Sequence, residues 1–143
     1  MKSKDYIILA LIVLLNLSGA NASDFENHDF DSAFQMDVPN GSSFKKISSL
    51  FGLDIGNTRV YQDFENDINI SYARVDDDGK YLNDMVRTIE NEPGVNLTKE
   101  DGLYLIETGK FNIVLFDKNH NIVAISAGNL DFDILKATAN SLS

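Results

Sequence analysis

Two segments of this chain, Ile113-Val114-Leu115-Phe116 and Ile122-Val123-Ala124-Ile125, are apolar without alternation. Successive side chains of a strand point to opposite faces, so an unbroken apolar strand must be covered on both sides. The polar stretch Asp117-Lys118-Asn119-His120-Asn121 between them reads as a hairpin turn. Whatever fold the chain adopts has to set apolar material against each side of that hairpin.

Amphipathic segments can supply the cover. Leu82, Met85, Val86 and Ile89 recur on one helical face, with Asp78 as a suitable cap and Pro93-Gly94 as the stop. Phe132, Leu135, Ala139 and Leu142 make a second stripe after Gly128-Asn129. A third, short helix is expected after Ser42 or Ser43, with Phe44, Ile47, Leu50 and Phe51 on one face and Gly52 at its end. Strands are expected at 34–38, 59–64, 68–74, 95–100, 103–108, 111–116 and 122–126. Asp101-Gly102 provides the positive φ angles of a type I′ hairpin turn. The expectation is an α+β fold, an antiparallel meander sheet with helices on both faces.

This order of elements resembles the superfamily that contains the photosystem PsbP proteins and the Ran-release-factor proteins. The resemblance rests on an alternating strand running into Val38-Pro39-Asn40-Gly41-Ser42, then a hairpin, a long helix, a meander and a C-terminal helix ending in Ser141-Leu142. With the preceding Asp37, the same turn is similar to small exported proteins of methanogenic archaea. The resemblance covers about 34–143 and implies a PsbP-like α/β/α sandwich with a non-catalytic binding or assembly role. No ligand residue of the family has a counterpart to carry over.

The N-terminal residues 1–22 read as a secretory signal. Lys2 and Lys4 precede an apolar run over 6–15, extended by Asn16-Leu17, and Ala20-Asn21-Ala22 is a small-x-small cleavage pattern. The run is shorter than the roughly 20 residues that span a bilayer. Cleavage is expected between Ala22 and Ser23, which makes the protein secreted or cell-surface; the alternative is an uncleaved membrane anchor. Residues 23–33 read as an acidic, flexible tether and 34–143 as one domain. Without residues 1–22 the chain has 121 residues, 10 basic and 21 acidic groups, and a net charge of −11. Such a surface repels nucleic acid and anionic lipid. The absence of Cys excludes thiol chemistry, Cys-ligated metals, disulfides and a lipoprotein anchor.

Several groups are candidates for chemistry. Asp76-Asp77-Asp78-Gly79 has the look of a calcium loop, but Arg74 would stand at its first ligand position and Met85 at its twelfth. Asp76 and Asp78 are therefore weak metal candidates, and an acidic helix cap is the favoured reading. Asp117, Asn119 and Asn121 read as a turn, and Asp63, Glu65 and Asp67 as a solvated strand end. Ala124-Ile125-Ser126-Ala127-Gly128 sits where a hydrolase nucleophile elbow would. His120 lies at the far end of the same strand, roughly 20 Å away at about 3.4 Å per residue. The other histidine, His28, is in the expected tether, so Ser126 is read as structural and no catalytic residue is assigned. No cofactor is expected.

Asn40, Asn69 and Asn96 each open an N-glycosylation pattern, with Asn40 the best placed. The function expected is an exported, non-enzymatic module that binds a protein or cell-surface partner. The alternatives are a small carboxylate- or serine-dependent hydrolase and a structural envelope protein without a discrete ligand. Edman sequencing of the exported protein tests the first step: Ser23 is the expected first residue, and Met1 overturns the signal.

Overall fold

The structure is a computed structural model that describes residues 25–47, 49–50, 53–54, 58–75, 79–128 and 130–143. The chain opens with a hairpin of β1 (Phe25–Phe30) and β2 (Phe34–Pro39), a two-stranded sheet of its own. Then come β3 (Lys45–Ile47), the two-residue pair β4 (Ser49–Leu50) and β5 (Leu53–Asp54), β6 (Thr58–Asp63) and β7 (Ile68–Arg74). Helix α1 (Lys80–Glu90) leads into the meander β8 (Asn96–Glu100), β9 (Leu103–Glu107), β10 (Asn112–Lys118) and β11 (Asn121–Ala127). Helix α2 (Phe132–Asn140) follows.

The main sheet has seven antiparallel strands in the order β3-β6-β7-β11-β10-β9-β8. Strand β11 sits between β7 and β10, with Ser126 opposite both Asn69 and Ile113. Its alternate residues feed two separate cores. Val123 and Ile125 join Ile70, Val114, Phe116 and the hairpin residues Phe30, Phe34, Met36 and Val38 on one face. Ile122 and Ala124 join Ile113, Leu115 and Ile106 beneath Leu82, Met85, Val86 and Ile89 of α1 on the other. The unalternating strands are thus covered on both sides, by α1 on one and by α2 with the β1–β2 hairpin on the other. The α+β sandwich expected from the sequence is the fold observed.

The local signals act as chemistry requires. Asp101 and Gly102 both take positive φ, 51° and 81°, in the β8–β9 turn. Asn119 and His120 do the same between β10 and β11, and the Asn121 side-chain Nδ2 donates to the Lys118 and Asn119 carbonyls. Asp131 caps α2 by accepting the Ile134 N–H at 3.1 Å. At α1 the cap position is Gly79, left-handed at φ 84°, with no side-chain bond; Asp78 lies outside the described residues.

Two expectations are corrected. Residues 45–47 are a strand, not part of a helix: Lys45, Lys46 and Ile47 pair with Gln62, Tyr61 and Val60. A helix of two turns has little stability of its own, whereas the edge of β6 offers ready backbone partners. Ser42 does not cap a helix but donates its hydroxyl to the Pro39 carbonyl at 2.6 Å. The second correction concerns the tether, because Phe25–Phe30 is a strand paired along its whole length with β2. Phe30 is fully buried, stacked on Phe34 at 4.7 Å and edge-on to Tyr61 at 5.0 Å. Left-handed Asp31 and Ser32 close the turn, and the Asp29 carboxylate accepts the Ser32 N–H at 2.7 Å. One buried ring and one tight turn outweigh the segment's acidity.

The C-terminal residues lock this layer. Gln35 and Ser143 exchange both main-chain bonds at 3.0 Å. The Ser141 hydroxyl accepts the Asp37 N–H at 2.7 Å and donates to the Thr138 carbonyl. Lys118 donates to the Leu142 carbonyl, and the Leu142 side chain is buried in the hairpin-side core. Leu142→Ala is expected to cost about 3 kcal/mol in urea unfolding, with the loss of a buried apolar side chain and the cavity it leaves.

Candidate functional site

One end of the molecule gathers the features that neither core accounts for. Its centre is the loop 40–44, which follows Pro39 at the end of β2. Gly41, at φ 82°, makes the turn that a side chain would strain. Its N–H donates to the Glu26 carboxylate at 3.2 Å, and its carbonyl accepts from the Asn66 side chain at 3.3 Å. The loop is therefore clasped between β1 and the β6–β7 turn.

Asp63 fastens that clasp. It is 2 % exposed, and its two carboxylate oxygens are fully engaged. One accepts the N–H groups of Glu65 and Asn66, both at 3.1 Å. The other accepts the Ser43 N–H at 2.9 Å and the Asn66 side-chain amide at 2.8 Å. Bonds to an ionised acceptor are the strong ones, and here four converge on one group.

The clasp holds two phenylalanines in solvent. Phe64, at the tip of the β6–β7 turn, is 68 % exposed, and Phe25, opposite Pro39 in the β1–β2 register, is 38 % exposed. Among the described residues these are the large apolar side chains left open. Glu26 and Glu65, their chain neighbours, are exposed too. The Val38-Pro39-Asn40-Gly41-Ser42 turn lies at this end, and Asn40 in it is exposed.

The strand end Asp63, Glu65 and Asp67 is not the solvated cluster expected. Only Glu65 is exposed; Asp63 is the buried clasp, and Asp67 is 4 % exposed with one carboxylate oxygen unpartnered. Asp67 is left-handed at φ 56°, and its carbonyl accepts the Gly128 N–H. Desolvation raises its pKa above the ordinary carboxylate value.

The residues weighed for catalysis do not converge. Ser126 is 1 % exposed in β11, and its hydroxyl and the Asn69 side-chain Oδ1 across from it lack partners. Its neighbour Ile113 belongs to the α1-side core, which places Ser126 on that face. His28 packs on the opposite face, with its ring 4.5 Å from Phe30 and 5.5 Å from Phe44. His120 is in the turn at the other end of β11. The seven-stranded sheet thus separates Ser126 from His28, and strand length separates it from His120. Asp76, Asp77 and Asp78 lie outside the described residues, among which no group of three potential metal-ligating His, Cys, Asp or Glu side chains occurs.

Asn69 is buried and Asn96 is exposed on edge strand β8. A shallow recess of about 340 Å³ lies at the β1–β2 turn, lined by Asp29, Ser32, Ala33, Phe34, Gln35 and Ser143. No described helix is long and apolar enough to cross a membrane.

The two buried acids differ in what neutralising them does. Asp67 has its pKa raised in the fold, so the folded state holds its proton more tightly than the unfolded chain. Its contribution is most favourable below the unfolded value and declines as pH rises through the folded one. Asp67→Asn keeps a residue that tolerates left-handed backbone, and it is expected to raise Tm by a few degrees at pH 7 and not at pH 3. Asp63→Ala is expected to lose about 3 kcal/mol at pH 7. Thermal unfolding at the two pH values checks both.

No family model matches the chain, and no curated protein matches it. Among solved structures, the solution structure of cyanobacterial PsbP (CyanoP) from Synechocystis sp. PCC 6803 is similar with a TM-score of 0.39 and 13 % identity, over 92 % of this chain and 98 % of that one.

Proposed function

We propose that the chain is an exported, non-enzymatic α+β module that binds a protein or cell-surface partner through the end bearing Phe25 and Phe64. The observation that carries this reading is Phe64. A phenylalanine at a hairpin tip contributes little to the fold when 68 % exposed. The Asp63 carboxylate nevertheless organises the turn that presents it, at the cost of burying a charge. Rigid aromatic side chains at a fixed position are effective anchors for a partner, because little side-chain entropy is lost on docking.

Export is supported by the sequence of residues 1–22. Acidity selects among partners: an exported chain of net charge −11 favours basic or neutral surfaces over nucleic acid and anionic lipid. A glycan on Asn40 would stand on the same end and compete with a docked partner.

The test is site-specific photocrosslinking in intact cells, with a benzophenone amino acid at position 64 and, as a control, at exposed position 84 on α1. A discrete adduct is expected from position 64 alone, and Phe64→Ser is expected to weaken capture at a second probe placed at position 25. Equal adducts from 64 and 84, or none from 64, favour an envelope protein without a discrete ligand.

A further inference from the structure

Strand β1 is an edge, and the orientation of its main chain follows from β2. Gln35 directs both its N–H and its carbonyl to Ser143, away from β1. Asp37, two residues on, directs its N–H to the Ser141 hydroxyl, again away from β1. Along an antiparallel ladder, residues alternate between facing the partner and facing outward, and opposed residues do so together. Asp29 is opposite Gln35, Asn27 opposite Asp37, and Phe25 opposite Pro39. The main-chain groups of Phe25, Asn27 and Asp29 therefore face outward on the far side of β1. Among the described residues that side has no strand beside it.

The edge strands β1, β3 and β8 are not alike. Proteins blunt exposed edges with lysine, proline or bulges. The edge strand β3 carries Lys45 and Lys46, and the edge strand β8 carries Lys99. Residues 23–44 contain Asp24, Glu26, Asp29, Asp31 and Asp37 and not one Lys or Arg. The open edge of β1 runs six residues, pairs in unbroken register with β2, and holds no proline. A second copy of this chain would bring the same carboxylates against each other, so like charge opposes self-pairing.

We infer that the open edge of β1 takes up an extended, lysine- or arginine-bearing peptide segment as an added strand, through the main-chain groups of Asn27 and Asp29. The inference rests on the partner-binding reading and deepens it by naming the chemistry of the partner. Main-chain bonds supply affinity in this mode, and the charges of the incoming side chains supply selectivity. Phe25, at the start of β1 and 38 % exposed, offers the added strand an apolar anchor.

The test uses the full chain, labelled with ¹⁵N, and an octapeptide of alternating Lys and Val as the probe. Amide exchange at Asn27 and Asp29 is expected to slow at least about tenfold on adding the peptide, as for any amide entering a ladder. An alternating Glu–Val peptide is expected to leave it unchanged. Asn27→Pro removes an outward N–H and no main-chain β1–β2 bond, only the exposed side-chain bond from Asn27 to the Asp37 carboxylate at 3.3 Å, and an edge position tolerates proline. That variant is expected to bind the Lys–Val peptide at least about tenfold more weakly while α1 amide shifts stay in place. Asn27→Lys keeps the N–H and adds a cation, and is expected to weaken binding by about threefold at low salt and less at high salt.

Protection at β3 or β8 in place of β1, equal binding by Asn27→Pro, or absence of Lys–Val peptide binding overturns the inference. Photocrosslinks from position 64 that persist in Asn27→Pro leave the docking end standing and defeat the edge alone. Protection of β1 with no crosslink from position 64 does the reverse.

Discussion

The fold is governed by one requirement, that β10 and β11 be dry on both faces. Phe116, Val114, Val123 and Ile125 point to one core, and Ile113, Leu115, Ile122 and Ala124 to the other. A single helix can cover one face of such a hairpin and no more. Helix α1 does so with Leu82, Met85, Val86 and Ile89. The second face is wider than α2 alone, and the β1–β2 hairpin completes its cover with Phe30, Phe34, Met36 and Val38. The position of the first strand, the tie to Ser143 and the clasp at Asp63 all follow from closing that second layer.

Much of this was legible where local chemistry and periodicity agree. The stripe of α1, the Asp101-Gly102 turn and the two-faced hairpin each carry their own physical reason, and each is found. Legibility fails where a segment's partner is remote in the chain. Phe44 and Ile47 fit a helical spacing, yet Lys45–Ile47 is held by β6, whose pairing no local pattern announces. The acidity of 23–33 points to a solvated tether and hides a strand. Its signal was present: His28 and Phe30 alternate as Phe34, Met36 and Val38 do, across a turn-forming Asp31-Ser32. Two alternating runs about a turn outweigh acidity, because only the inward residues need be apolar.

The candidate site divides in the same way. That strand length parts Ser126 from His120 was readable; that a sheet lies between Ser126 and His28 was not. Asp63 and Asp67 look identical as letters in an acidic turn. In the fold one has four donors and the other has an unpartnered oxygen. The difference depends on loop 40–44, which brings Ser43 to Asp63 and bypasses Asp67. Phe64 gave no signal, because a lone aromatic in a turn is as compatible with burial as with exposure.

The tie between β2 and the C-terminal residues also sets an order of events. Asp37 and Ser141, joined through the serine hydroxyl, are 104 positions apart. The β8–β9 and β10–β11 hairpins need only short loops and can form in microseconds, whereas closure over so long a span is slow. Sealing of the β1–β2 layer against residues 141–143 is therefore expected to follow the formation of those hairpins. Lifting of that layer requires the release of residues 141–143, which hold Gln35 and Asp37. When it lifts, β2 is bared along with β1, so the same motion that loosens the second core doubles the length of unpaired strand edge.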